Sequence, residues 1–211
     1  MSTWDEARWL ADEEPVHGQL TIDDLCSSEY REQLNEMADK RAWSGGGALY
    51  VNEVIKLCRK CEATSLLDYG CGFVDMRAEI DASGQVLDRT ITVQSYDPGV
   101  PGRERLPEPA DVVLCVDVLE HVEPDRVQTV LKHVFALTLK CALIVISCRP
   151  AEKRLPDGRN AHLTIDTSGW WQHQLFDLGD WKARLIDDGG KTGLLHVWLR
   201  KRATTHGGTM F

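Results

Sequence analysis

Apolar positions change period along the chain, and each change marks an element. Between 28 and 42, Tyr30, Leu34 and Met37 share one helical face, and SGGG at 44–47 interrupts the pattern. From 48 to about 60, Val51, Val54, Ile55 and Cys58 fall at i, i+3, i+4 and i+7, which predicts an amphipathic helix. The period then collapses into short apolar runs: TSLLDYG (64–70), ITVQSYD (91–97), DVVLCVD (111–117) and CALIVIS (141–147). Such continuous runs fit strands covered on both faces. Between the last two, Val127, Val130, Leu131 and Val134 restore helical spacing behind Pro124, a residue favoured in a first helical turn. Beyond a polar loop at 149–166, SGWWQHQLFDL predicts a helix whose Trp170 and Trp171 pack on the sheet, and WKARLIDD and GLLHVWLR flank DGGKTG as a hairpin.

Strands alternating with helices predict an α/β fold. Its sheet is mostly parallel and Rossmann-like, with right-handed crossovers, helices on both faces and a C-terminal antiparallel hairpin. The chain divides into an N-terminal arm and helical segment (1–47) expected to cover the cleft, an α/β domain (48–203) and a tail (204–211).

Charge narrows the partners. Among 211 residues, 24 Lys and Arg face 33 Asp and Glu, a net charge of −9. That balance argues against long duplex nucleic acid, whose grip comes from clustered cations, and leaves a small molecule or a nucleotide. No apolar run reaches the ~18 residues that span a bilayer. The opening MSTWDEARWLADEEP is acidic where a secretory leader is basic, so no membrane association and a cytoplasmic location are expected. The seven cysteines read as reduced, mostly buried thiols. Cys58 and Cys61 form a single CxxC late in a helix, without the second ligand pair a zinc site needs, and no metal is called for.

In an open parallel sheet, ligands sit beyond the carboxyl ends of the strands. The first strand runs into Asp68, Tyr69, Gly70, Cys71 and Gly72. Glycines there let the backbone pass beneath a ligand, with a helix N-terminus to follow, although two glycines after a strand also make a simple tight turn. The second strand ends in Asp97 and Pro98, where a carboxylate can accept both hydroxyls of a ribose. The third ends in Cys115, Asp117, Val118, Glu120 and His121. Glu120 reads as a helix-start acid favoured by the helix dipole. After the last central strand, Arg159 could fork onto an anionic acceptor, Asn160 could orient it and His162 could take a proton, as could His121; the alternative is a surface turn.

Together, SLLDYGCG, SYDP and ADVVLCVDVLEHV resemble the class I S-adenosylmethionine-dependent methyltransferases over residues 48–148. The layout is similar to compact phage or mobile-element members. The resemblance implies S-adenosylmethionine as cofactor, with Asp68 near its methionine part and the backbone of Gly70, Cys71 and Gly72 beneath it. Asp97 would hold the ribose, and Cys115 to His121 would border the cofactor and the methyl-acceptor pocket, with Cys115, Asp117 and Val118 on the cofactor side. Two departures stand out. Val74 replaces the family's third glycine, and only PGVPGRERLPEPA separates Asp97 from Asp111, where the family has a further helix and strand. The sheet should therefore be shortened in its middle, and Glu104 is the acid left to approach the adenine. The implied activity is methyl transfer to a small-molecule or nucleotide-type acceptor. The alternative is an S-adenosylmethionine-binding protein with other chemistry or a scaffold role.

Overall fold

The computed structural model describes residues 20–39, 46–85, 91–176, 181–187 and 194–201. The first part of the expected arm, the turn DGGKTG and the tail lie outside them. Helices α1 (Ile22–Leu25) and α2 (Ser28–Asp39) precede a 3-10 turn (Gly46–Tyr50) that leads into α3 (Val51–Lys60). Then follow β1 (Ser65–Tyr69), α4 (Met76–Ala82), β2 (Thr92–Tyr96), β3 (Ala110–Val116), a 3-10 turn (Leu119–His121), α5 (Val127–Leu137), β4 (Thr138–Ser147), α6 (Ser168–Phe176), β5 (Trp181–Asp187) and β6 (Leu194–Lys201).

The six strands form one sheet in the order β2-β1-β3-β4-β6-β5. Strands β1 to β4 pair in parallel, and β6 runs antiparallel to both β4 and β5. The order reverses between β1, which leads outward to β2, and β3, so a crevice opens at their carboxyl ends. No helix or strand stands between β2 and β3, which leaves β2 at the sheet edge. The short connection instead folds back along that edge. Gln94 Nε2 donates to the Glu108 carbonyl at 3.2 Å, and Glu108 N–H donates to Gln94 Oε1 at 3.1 Å.

Strand pleat sorts the core into two layers. Leu66, Val112, Leu114, Leu143 and Val145 face α3 and α4. Leu67, Tyr69, Val113, Cys115 and Ile144 face the side of α5, where Trp171 of α6 is fully buried. Every residue of β3 is buried, which explains its unbroken apolar run. One cysteine expectation is corrected: Cys61, at the end of α3, is joined to Cys141 of β4 in a disulfide, while Cys26, Cys58, Cys71, Cys115 and Cys148 lie outside any disulfide. The helix and the strand beneath it bring together two residues 80 apart in sequence, which local spacing cannot reveal. Among the described residues, no helix is long and apolar enough to cross a membrane.

Gly70 closes the first strand with φ +76°, and a Cβ built there would stand 2.3 Å from Val118 Cγ2. Both the backbone angle and the contact require glycine. Gly70→Ala should therefore destabilise the fold by about 2–3 kcal/mol in urea unfolding. The double variant Gly70→Ala/Val118→Ala should regain part of that loss, because only the clash is relieved.

Candidate functional site

The carboxyl ends of β1, β2 and β3 surround a cavity of about 430 Å³. Gly70 and Gly72 form its floor beside Asp97 and Pro98, and Asp117, Val118, His121 and His162 form another wall. Leu25, Cys26, Tyr30 and Leu34 of α1 and α2 line it from the N-terminal side. Two contacts hold these helices in position. Ser27 donates its backbone N–H and its hydroxyl to the Glu123 carboxylate at 2.8 and 2.7 Å. Gly99, after β2, lies so close to α2 that an added Cβ would be 2.5 Å from Leu34 Cβ.

The glycine loop is fixed from the opposite side of the crevice. Asp97 accepts the Gly72 N–H through Oδ2 at 2.8 Å and the Gly99 N–H through Oδ1 at 2.9 Å. Burial nevertheless pushes the Asp97 carboxyl above its usual range, against these two donors and Arg103. Arg103 donates to the carbonyls of Gly72 and Val74 at 2.9 and 2.6 Å, and so clamps the turn in which Val74 stands. Nothing local in the sequence marks Arg103, because its partners lie about 30 residues upstream. Glu104, beside it, is exposed and absent from the cavity lining.

Several predicted residues lie near the cavity without lining it. Tyr69, Cys71 and Cys115 are buried side chains. Tyr69 hydrogen-bonds His133 on α5 at 3.1 Å, and Cys115 belongs to the core on the same face. Asp68 points to the other face, where Gly47 covers it: a Cβ at Gly47 would be 3.4 Å from Asp68 Oδ1. Asp68 Oδ2 is buried without a hydrogen-bond partner, and burial pushes the carboxyl up to about 7. The space expected over Gly70 for a cofactor is filled at the Cβ position by Val118, so the loop offers its backbone edge and not an open pocket above that Cα.

The loop after β4 splits the predicted acceptor group. Arg159 is half exposed and pairs with Asp157 at 2.7 Å, outside the cavity lining. Asn160 clips the loop to itself: its Oδ1 accepts the Ala151 and His162 N–H groups at 3.0 and 2.9 Å, and its Nδ2 donates to the Ala151 carbonyl at 2.8 Å. The surface-turn alternative describes these two residues. His162 does enter the cavity, and the cations that line it are Arg149 and Lys153. The rule that selected the ends of the first three strands also selects Arg149, two residues past the end of β4.

His121 and His162 meet edge to face, ring centroids 4.6 Å apart. His121 Nδ1 lies 2.7 Å from the Ala161 carbonyl, and His162 Nδ1 contacts the Arg149 carbonyl. A carbonyl only accepts, so each Nδ1 carries the proton and each neutral ring holds its lone pair on Nε2. Burial pushes the His121 imidazole down to about 4, against the pull of Asp117, and the neighbouring His162 adds to the fall. Asp117, Asn-like in its backbone at φ +58°, ends β3 in the left-handed region that side chains rarely adopt. Glu120 stands in the first turn of the 3-10 helix, as expected of a helix-start acid, and is fully buried there. One of its oxygens accepts the Ser147 N–H at the end of β4, and Oε2 has no hydrogen-bond partner. Burial, with the adjacent Asp117 carboxylate, holds Glu120 well above the usual range. Ligand atoms of Asp117, His121 and His162 lie within 4.8 Å of one another.

Neither a protein-family model nor a curated protein matches this sequence. Solved structures do match in fold. The 1,6-didemethyltoxoflavin-N1-methyltransferase of Burkholderia thailandensis, crystallised with 1,6-didemethyltoxoflavin and S-adenosylhomocysteine, superposes with a TM-score of 0.53 at 19% identity, over 89% of this chain and 93% of that one. An O-methyltransferase family protein from the same organism gives 0.51 at 14% identity, over 84% of this chain and 61% of its own length. The methyltransferase domain of bacterial CtHen1-C gives 0.51 at 12%, over 74% and 99%. The chain thus has the Rossmann-like fold of the class I S-adenosylmethionine-dependent methyltransferases, with its middle strand and helix absent.

Proposed function

We propose that this chain is an S-adenosylmethionine-dependent methyltransferase acting on a small-molecule or nucleotide-type acceptor. The observation that carries the reading is one cavity shared by the glycine loop, Asp97 and the Asp117–His121–His162 wall. The S-adenosylhomocysteine bound to the toxoflavin enzyme of like fold supports the cofactor.

The residues fit that cofactor chemically. A carboxylate has about four lone-pair sites, so Asp97, with two backbone donors in place, retains capacity for ribose hydroxyls. Asp68 lies behind the cavity lining, and its Oδ2, an orphaned acceptor beneath Gly47, would meet the cationic amine of the methionine end if the Gly47 turn shifts aside. When bound, S-adenosylmethionine supplies a methyl carbon made electrophilic by its sulfonium sulfur. The protein's task is then alignment and exclusion of water. Arg149 and Lys153 hold an anionic group of the acceptor, the role first assigned to Arg159, and the Asp117–His121–His162 wall orients the attacking atom.

Calorimetric titration of the purified chain with S-adenosylhomocysteine should show one saturable site, with NAD as the unbound control; absence of binding would overturn the reading. Asp97→Ala should weaken binding by about 1–3 kcal/mol, the scale of charge-assisted hydrogen bonds. Unchanged affinity in a folded variant would remove Asp97 from the site.

A pH dependence follows from Asp68, whose carboxyl is pushed up to about 7 in the free protein. A cationic ligand favours the ionised form, so affinity should rise roughly tenfold between pH 6 and pH 8, and the rise should vanish in Asp68→Asn. Stability runs the other way. The folded-state pKa exceeds the unfolded one, so the protonated carboxyl's advantage is full below about 4 and is lost as pH climbs to about 7. At pH 8, Asp68→Asn should therefore stabilise the ligand-free protein by about 2 kcal/mol in chemical unfolding.

A further inference from the structure

We infer that Asp117, His121 and His162, backed by Glu120, form a binding site for a divalent first-row transition-metal ion at the acceptor end of the cavity. The site deepens the methyltransferase reading but stands on its own geometry. Candidate ligand atoms from the three side chains lie within 4.8 Å of one another, and all three residues line the cavity. Ligands around one small cation stand ~3–4 Å apart, so modest side-chain rotations bring these atoms into place.

The supporting shell is already assembled. Both imidazoles give Nδ1–H to a backbone carbonyl, of Ala161 for His121 and of Arg149 for His162. That arrangement fixes Nε2 as the ligating nitrogen and sets the ring orientation, as outer partners do for metal-bound histidines. The Asn160 amide positions His162 by accepting its backbone N–H, which gives the loop clip a purpose. Asp117 holds a left-handed backbone angle without being glycine, a strain of about 1 kcal/mol that its placement in the cluster explains.

Glu120 supplies an independent observation. Its carboxyl is fully buried against that of Asp117, with Oε2 lacking any hydrogen-bond partner. A buried carboxyl with an orphaned oxygen, set beside a second carboxyl that is itself solvent-exposed, is costly unless a cation lies beside it. Two imidazoles and carboxylate oxygen suit manganese, cobalt or zinc over magnesium or calcium, which favour all-oxygen shells. Three side-chain ligands leave open coordination positions toward the cavity. There the ion can polarise an acceptor hydroxyl and lower its pKa. The hydroxyl proton passes to water, and the oxygen forms its bond to the methyl carbon as the carbon–sulfur bond breaks and its electron pair stays on sulfur.

The test uses the whole chain, stripped with EDTA and titrated separately with manganese and cobalt chlorides. Calorimetry should give one ion per chain, and cobalt should produce the visible absorption of nitrogen-ligated metal. His162→Ala and Asp117→Asn should each weaken the ion at least tenfold while S-adenosylhomocysteine affinity stays within twofold. No saturable binding of either ion to the wild-type protein, or equal binding to wild type and to both variants, would overturn the site. Ion binding without S-adenosylhomocysteine binding would sink the methyltransferase reading and leave the metal site standing. If His162→Ala fails to fold, His121→Gln provides the comparison.

Discussion

The approach of Gly70 to Val118 governs the geometry of the crevice. With no side chain at 70, the turn after β1 closes against the residue that follows the acid at the end of β3. That closure sets the glycine loop, fixed by Asp97 and Arg103, next to the Asp117 corner. A wider separation would give two half-sites, one holding a nucleoside and the other a cluster of acids and imidazoles. The polar groups that finish the site are all supplied from the ends of strands or from loops that clip themselves together. The rigid sheet therefore does most of the positioning and side-chain ordering costs little entropy.

What the sequence disclosed depended on whether the signal was local. Strands covered on both faces read as unbroken apolar runs, and β1, β2, β3 and β4 appear in place, with β4 beginning three residues earlier than its apolar core suggested. The hairpin followed from Gly-rich turn chemistry between two β-rich segments. A helix was expected after the glycine loop and α4 supplies it, but its bounds were not legible, since its seven residues show only Met76 and Ile80 as buried anchors. At the crevice, residues that act through backbone or sit at the last position of a strand were legible: Gly70, Gly72, Asp97, Asp117. Pleat carries Tyr69 and Cys115 into the core, which a one-residue uncertainty in strand phase conceals. Arg103, Glu120, Arg149 and Lys153 draw their meaning from partners far along the chain, and Arg159 found an acid two residues away before it could reach the cavity.

The N-terminal helices show a division of labour between polar and apolar contacts. Ser27 and Glu123 fix where α2 begins, whereas Leu34 against Gly99 fixes how closely it lies over the post-β2 turn. Tyr30 and Cys26, buried between these anchors, complete the apolar side of a cavity whose opposite side is ionic. A ligand with one flat or aliphatic face and one charged edge matches that asymmetry.

Loss of a strand beyond β2 leaves a row of backbone donors and acceptors that another chain could recruit. Flat, unprotected borders of this kind nucleate cross-β stacking and unwanted dimers. Gln94, on the edge strand itself, draws the chain's own connection over the border by pairing its side-chain amide with the backbone N–H and carbonyl of Glu108. Two hydrogen bonds thus hold a thirteen-residue connection against the border of the sheet.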